Sequence, residues 1–157
     1  TKIMQSEYFT NFLQNKSLSI KLIRPFNVIG KGMRSHLSIP NLINIIKNQK
    51  NYNIQTKNLG GVRDFIDITD ICEGINLVLN QGLNGEIYNL CSGRGILMRD
   101  VVDMLIKNSR KDLQIIEETN YLNDDISIGN PDKVFNHTGW NTKEDPLNTI
   151  NKMYHSS

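Results

Sequence analysis

A single arginine, Arg63, stands in the stretch "NLGGVRDFIDITD" (residues 58–70) beside Asp64, Asp67 and Asp70. A guanidinium in this company has two uses. It can pair with a neighbouring carboxylate, Asp64 or Asp67, which at a surface contributes about 0–1 kcal/mol. Or it can be kept for an anion from outside the protein, such as a phosphate, to which its planar fork donates two parallel charge-assisted bonds. Three aspartates spaced three apart also raise the question of a cation site. The β-rich character of the stretch argues against it, because alternation along a strand sends Asp67 to the opposite face from Asp64 and Asp70. Asp70 suits the N-cap of a following helix, with Glu73 three residues on. No metal site is expected.

The other reactive residue types form no constellation. His36, His137 and His155 are scattered, without a partner one helical turn away, and read as surface or loop residues. Cys72 and Cys91 have no companion at metal-ligand spacing and read as small buried hydrophobes of a reduced chain. "GKGM" (residues 30–33) and "SGRG" (residues 92–95) contain glycines, but neither is a G-x-G-x-x-G loop or a P-loop, and both are too short to hold a dinucleotide alone. A net charge of +2 is too small for a nucleic-acid footprint. No apolar run approaches the roughly 18 residues of a membrane span, and no signal-peptide pattern is seen in these residues. A cytoplasmic protein without a nucleic-acid or membrane partner is the expectation. At 157 residues, 38% hydrophobic and 22% charged, the chain suits one ordinary core, as a domain or part of a larger one.

The elements that must position these residues follow from periodicity. "TKIMQSEYFTNFLQ" reads as a helix from its first residues, with Met4, Tyr8 and Phe12 at four-residue spacing and no cap ahead of them, so the chain is expected to begin inside a fold. "LSIKLIRPFNVIG" reads as a buried strand entering a loop over residues 25–32. "IPNLINIIKNQK" is a short helix with Pro40 in its first turn and Ile39, Ile43 and Ile46 on one face. "YNIQTKNL" and "RDFIDI" are strands, the second passing into a helix with Ile71, Ile75, Val78 and Leu79 inward. "EIYNLCSG" is a strand, "ILMRDVVDMLIKN" a helix with Leu97, Val101, Met104 and Leu105 inward, "LQIIEE" a strand, and two helical pieces close the chain. Such alternation implies an α/β fold with a mainly parallel sheet covered by helices.

Four stretches in this order, "RPFNVIG", "GVRDFIDITDICEGINLVL", "GEIYNLCSG" and "IGNPDKVFNHTGW", resemble the second half of an extended short-chain dehydrogenase/reductase, the family of nucleotide-sugar epimerases, dehydratases and reductases. The pattern is most similar to the branch that reduces GDP-4-dehydro-6-deoxy-mannose, where "GNLxxxRDFxDVxD" and "GDPxKxxxxTGW" occur. The resemblance implies the C-terminal part of a Rossmann-like doubly wound fold plus a small substrate-binding α/β subdomain. All of residues 1–157 would then be the substrate-binding half, with the NAD(P)-binding Rossmann half outside this chain.

The same resemblance implies residue roles. Lys2 falls where the lysine of the catalytic Tyr-x-x-x-Lys element lies; there it bonds the ribose of NAD or NADP and favours the phenolate of a tyrosine that would precede residue 1. An ordinary exposed lysine is the plain alternative. Pro25 would touch the cofactor and Asn27 the substrate, at the carboxyl end of a strand where open α/β sheets bind ligands; Asn27 could equally serve an unusual turn conformation. Arg63 would clasp the substrate diphosphate. Ser38 and Asn41 would lie near the nucleotide base, although helix capping also explains Ser38. Asn89 and Trp140 read as structural.

Two departures stand out. The Arg-Pro pair that precedes "GDPxK" in the reductases, whose arginine is a second clamp on the diphosphate, has no arginine here; Asn120 or Asn123 would replace it, or the charge comes from elsewhere. The family's "GPG" is "GKG", with Lys31 either restoring positive charge or lying in solvent. The expected activity is NAD(P)-dependent reduction of a GDP-linked 4-keto-6-deoxy sugar by a full-length homodimer, this half alone being inactive. A 4-epimerase, a 4,6-dehydratase or a non-catalytic sugar-nucleotide-binding module are the alternatives.

Overall fold

The computed structural model describes residues 18–118 and 125–156. The expected opening helix, Lys2 with it, and Asn120 and Asn123 lie outside the described residues. In chain order come β1 (Leu22–Pro25), β2 (Asn27–Ile29), α1 (Ser38–Asn48), β3 (Asn53–Lys57), β4 (Val62–Arg63), β5 (Phe65–Asp67), α2 (Ile68–Gln81), β6 (Ile87–Leu90), β7 (Ile96–Leu97), α3 (Met98–Ser109), β8 (Gln114–Glu118), β9 (Ile126–Ser127), α4 (Asp132–Thr138) and α5 (Pro146–Ser156). The expected alternation is present, and the pairs β1–β6, β2–β5 and β3–β8 are all parallel. Among the described residues they do not join into the one sheet that the alternation suggested. The run read as one strand changes partner at Phe26: Phe26 N donates to Leu90 O at 3.0 Å, and Asn27 N to Asp64 O at 3.3 Å. A three-stranded sheet, β7-β4-β9, is antiparallel on one side and parallel on the other.

The change of partner follows from there being two cores. One gathers Ile39, Ile43 and Ile46 of α1, Ile54 of β3, Val101 and Leu105 of α3 and Ile150 of α5. The other gathers Ile71 and Val78 of α2, Tyr88 and Leu90 of β6, Val134 of α4 and Trp140. β5 is the wall between them. Its alternation sends Phe65 into the first core and Ile66 into the second, so both faces of a three-residue strand are buried. Each fully buried aliphatic or aromatic side chain contributes about 1.5–3 kcal/mol.

The helices form where the sequence periodicity put them, with corrections at their edges. α2 begins at Ile68 and its N-cap is Asp67, not Asp70: Asp67 Oδ1 accepts from Thr69 N at 2.7 Å and Thr69 Oγ1 at 2.6 Å. Asp70, displaced into the first turn, is buried and accepts from the backbone N–H groups of Lys143 (3.1 Å) and Glu144 (3.1 Å), tying α2 to the approach of α5. Glu73, assigned to a capping box, pairs instead with Lys143. Ile71 and Val78 are inward, but Ile75 and Leu79 are exposed, because the buried stripe also takes in Gly74. On α3 it is Val102 that joins Val101 and Leu105 inside, while Leu97 lies in β7. Lys111 closes the far end of α1, its ammonium donating to the carbonyls of Ile46 (3.1 Å), Lys47 (2.6 Å) and Gln49 (3.1 Å), which satisfies orphan acceptors where the helix dipole is negative.

Gly74 sits mid-helix because the Trp140 indole, whose Nε1 donates to Asp70 O at 3.0 Å, lies against it; a Cβ there would meet Trp140 Cε2 at 2.9 Å and Leu90 Cδ1 at 3.0 Å. Gly74→Ala is therefore expected to lower stability by about 1–3 kcal/mol in urea denaturation, overriding the roughly 1 kcal/mol that Ala gains over Gly in a helix; a gain in stability would show that Trp140 yields freely. A second expectation concerns acid. Burial alone would raise the Asp67 pKa, but hydrogen bonds from Thr149 and Thr69, with Lys152 nearby, hold it below its ordinary 3.8. The stabilisation is thus complete above the unfolded value and lost as pH falls through the lower folded value. Thr149→Val removes the 2.6 Å Thr149 Oγ1 donor; its stability deficit, measured from pH 7 to pH 2, should be largest at neutral pH and shrink below about pH 3.8. A deficit independent of pH would mean that the hydroxyl serves packing alone.

Candidate functional site

A carboxylate buried between two short strands demands partners, and Asp64, 0% exposed between β4 and β5, has four. Its Oδ1 accepts from Ser92 N at 2.9 Å and Ser92 Oγ at 2.6 Å, and its Oδ2 from Gly93 N at 2.9 Å and Gly129 N at 3.1 Å. Its backbone works as well: the N–H donates to Ser127 O at 2.9 Å, and the carbonyl accepts from Asn27 N and, at 2.9 Å, from Asn27 Nδ2. One residue thus fastens the start of β2, the turn after β6 and the segment between β9 and α4. Gly93 is needed at its turn, with φ of 72°. Gly129 is needed for closeness, since a Cβ there would meet Cys91 Sγ at 2.5 Å. These segments meet at the carboxyl ends of β1 and β6, where parallel strands present ligands to their loops.

Arg63 leaves the chain immediately before this knot. Neither Asp64 nor Asp67, its anticipated partners, is available to it. Its Nη2 pairs with the Asp125 carboxylate and its Nη1 donates to Asp125 O and, at 3.0 Å, to Val62 O. Three of the five guanidinium N–H groups are accounted for in this way. The Arg63 side chain is 22% exposed and that of Asp125 62%, so the pair lies open to solvent on the carboxylate's side; an exposed pair of this kind contributes about 1 kcal/mol or less.

The other candidate residues are distributed as follows. Pro25 ends β1 opposite Leu90. Asn27 is tied to the carbonyl of Asp64, the residue after Arg63, and its φ is not positive, so an unusual turn conformation does not account for it. Ser38 and Asn41 are exposed in the first turn of α1; Ser38 is not the cap, a position held by Leu37 without a side-chain bond. Lys31 opens onto a cleft of about 600 Å³ lined also by Met33, Pro40, Asn44 and Met153, on the side of α1 and α5. Trp140 is core at 1% exposure. His137 is no simple surface residue: its Nδ1 meets the hydroxyl of buried Tyr88 at 2.8 Å. Cys91 is buried, and burial, with Asp64 nearby, pushes its thiol up to about 12, so it is not a nucleophile. Among the described residues no three His, Cys, Asp or Glu side chains converge on a metal position, and no helix is long and apolar enough to cross a membrane.

Two features escaped the sequence reading. Asp64 looked like a partner for Arg63, although an aspartate inside "RDFID", with "SG" and "IG" turns elsewhere to supply N–H groups, is a legible signal for a buried acceptor. Asp125 gave no signal, since only the β4–β9 pairing brings it to Arg63. The described residues do not by themselves fit a dinucleotide: α2, the helix that directly follows a parallel strand, has its N-terminus closed by Asp67, and no glycine-rich loop stands there.

With this geometry in place, the relationships of the chain are specific. Residues 1–91 match the model of the NAD dependent epimerase/dehydratase family. The chain is 31% identical over 123 residues to a GDP-6-deoxy-D-talose 4-dehydrogenase of Aggregatibacter actinomycetemcomitans, covering 76% of this chain and 42% of that protein. It is 26% identical over 103 residues to a GDP-6-deoxy-D-mannose reductase of Pseudomonas aeruginosa, covering 63% of this chain and 34% of that one. In fold it superposes on RMD from Pseudomonas aeruginosa complexed with NADPH with a TM-score of 0.84 at 22% identity, over 96% of this chain and 53% of that one. It superposes equally, at 0.84 and 18% identity, on a UDP-glucose 4-epimerase with UDP-glucose from Thermotoga maritima, over 98% of this chain and 50% of that one. The chain spans about half the length of these solved proteins and less than half that of the two curated relatives it matches.

The Asp64 knot makes its own prediction. In Asp64→Asn one carboxylate oxygen becomes an NH2 that must face N–H donors of Ser92, or of Gly93 and Gly129. The variant is expected to lose about 2–4 kcal/mol in urea denaturation. A loss under about 0.5 kcal/mol would mean that water replaces the carboxylate at no cost.

Proposed function

Because the chain belongs to the NAD dependent epimerase/dehydratase family, we propose that it is the substrate-binding half of a nucleotide-sugar oxidoreductase, with the NAD(P)-binding half lying outside residues 1–157. The reaction is the reduction, by NADH or NADPH, of the C4 ketone of a GDP-linked 4-keto-6-deoxy sugar to the alcohol. The names of the two relatives, one a GDP-6-deoxy-talose 4-dehydrogenase and the other a GDP-6-deoxy-mannose reductase, support both the guanine nucleotide and the deoxyhexose.

The observation that carries the reading is Arg63. Its neighbour Asp64 is immobilised by four hydrogen bonds, so the guanidinium projects from a fixed point at the carboxyl ends of β1 and β6. Two of its N–H groups remain for phosphate oxygens after Val62 and Asp125 have taken theirs. Asn27, whose Nδ2 donates to the Asp64 carbonyl, orients the glycosyl end of the diphosphate. Ser38 and Asn41, exposed on the first turn of α1, are assigned to the base. Lys2 holds the cofactor ribose and keeps the catalytic tyrosine acidic, with Pro25 against the nicotinamide. The whole enzyme is a homodimer in the cytoplasm, and this half alone does not turn over.

Arg63→Ala, tested in the protein made by the natural gene, is expected to weaken GDP binding by about 2 kcal/mol, close to 30-fold, in calorimetric titration. Unchanged affinity would return Arg63 to a partner of Asp125 and nothing more. The same preparation should have an intact mass on the order of twice that of this chain; a mass equal to it would leave a sugar-nucleotide-binding module in place of the reductase.

A further inference from the structure

Two arginines flank the buried Asp64 carboxylate. Arg63 precedes it in the chain, and Arg94 follows the Ser92–Gly93 turn whose two N–H groups the carboxylate accepts, both at 2.9 Å. The turn is held a second time from within: Arg94 N donates to Ser92 Oγ at 3.1 Å. The Cα atoms of both arginines are therefore pinned to the same fixed group, while their side chains extend away from it.

The ladder beside the turn brings the two arginines near one another. Arg63 lies opposite Ile96 in the antiparallel β4–β7 pair, so these two point to one face. A Cβ on Gly95 would strike Val62 Cγ1 at 2.5 Å, which puts residue 95 on the face of Val62. Arg94 stands two residues before Ile96, just outside β7, so its backbone approaches β4 at the level of Arg63 and Asp64. From these anchors two long guanidinium side chains can reach the oxygens of one diphosphate.

Charge decides why a second arginine is needed. Asp125 already neutralises Arg63. Ser127, the register partner of Arg63 on its other side, is uncharged. On this face the pair alone sums to zero, which gives a dianionic or trianionic ligand no net attraction. Arg94 is exposed, and among the described residues its hydrogen bonds run through its backbone, to and from Ser92 Oγ. Arg99, the nearest other arginine in the chain, is paired with Glu117 at 2.7 Å.

We infer that Arg94 supplies the second cation of the diphosphate site, clasping the anion together with Arg63 and standing in for the arginine that the segment before "IGNPDK" lacks. This rests on the reading of Arg63 as a nucleoside-diphosphate ligand. The test is calorimetric titration of the natural gene product with GDP and, as a phosphate-free probe, guanosine, for the unsubstituted protein, Arg63→Ala, Arg94→Ala and Arg94→Lys. Arg94→Ala is expected to weaken GDP binding by about 10-fold or more, to leave guanosine binding and the thermal midpoint unchanged, and to be rescued in part by Arg94→Lys. GDP affinity within twofold of the unsubstituted protein in Arg94→Ala, with Arg63→Ala weakened, would overturn the role of Arg94 and leave that of Arg63 standing. Equal losses for GDP and guanosine in Arg94→Ala would overturn it too, placing the effect on the base or the fold. Failure of the unsubstituted protein to bind GDP, UDP or dTDP would overturn the function proposed above and this inference with it.

Discussion

The structure hangs on one buried carboxylate, Asp64, which makes no ion pair among the described residues. The Asp64 carboxylate is removed from water, and four N–H and O–H donors from Ser92, Gly93 and Gly129 replace its hydration. Burying an ionised carboxylate is costly unless every lone pair finds a donor, so these segments are held where they are by the penalty for leaving. The glycines at 93 and 129 follow from the same demand: one must adopt a left-handed turn to aim its N–H, and the other must let its backbone approach Cys91. A loop region that could have been loose becomes a fixed floor.

The neighbouring aspartates repeat the device at lower stakes. Asp67 caps α2 and reaches Thr149 of α5; Asp70 accepts the backbone of Lys143 and Glu144. Phe65 and Ile66 of β5 go to different cores, and the carboxylates at either end of the run also part, Asp64 just before β5 toward the turn after β6 and Asp67 toward α5. Three acidic residues within seven positions therefore serve three different joints. That is the reason none of them is left to neutralise Arg63 or to gather a cation.

What Arg63 meets instead is Asp125, immediately before β9 and 62 residues further along the chain. An exposed carboxylate is a weak competitor for a guanidinium, because water screens it and its own hydration is nearly as good. The pair holds the fork in position without closing it.

Periodicity made much of this legible. The face of α1 formed by Ile39, Ile43 and Ile46 and the core positions of Ile71, Val78, Val101 and Leu105 were readable, because each depends on the spacing of apolar residues along one element, and the parallel α/β class followed from the alternation of helices and strands. The motifs around Arg63 carried the family. Three things were decided only by tertiary structure: that the strand through Phe26 divides between two partners, that Asp67 and not Asp70 caps α2, and that Asp64 gathers the turns on which Arg63 and Arg94 stand. The physical reason is common to them. A hydrogen bond from a buried carboxylate is satisfied by whichever donor the packed chain brings near, and residues 92, 93 and 129 are near residue 64 only once the two cores have closed on either side of β5.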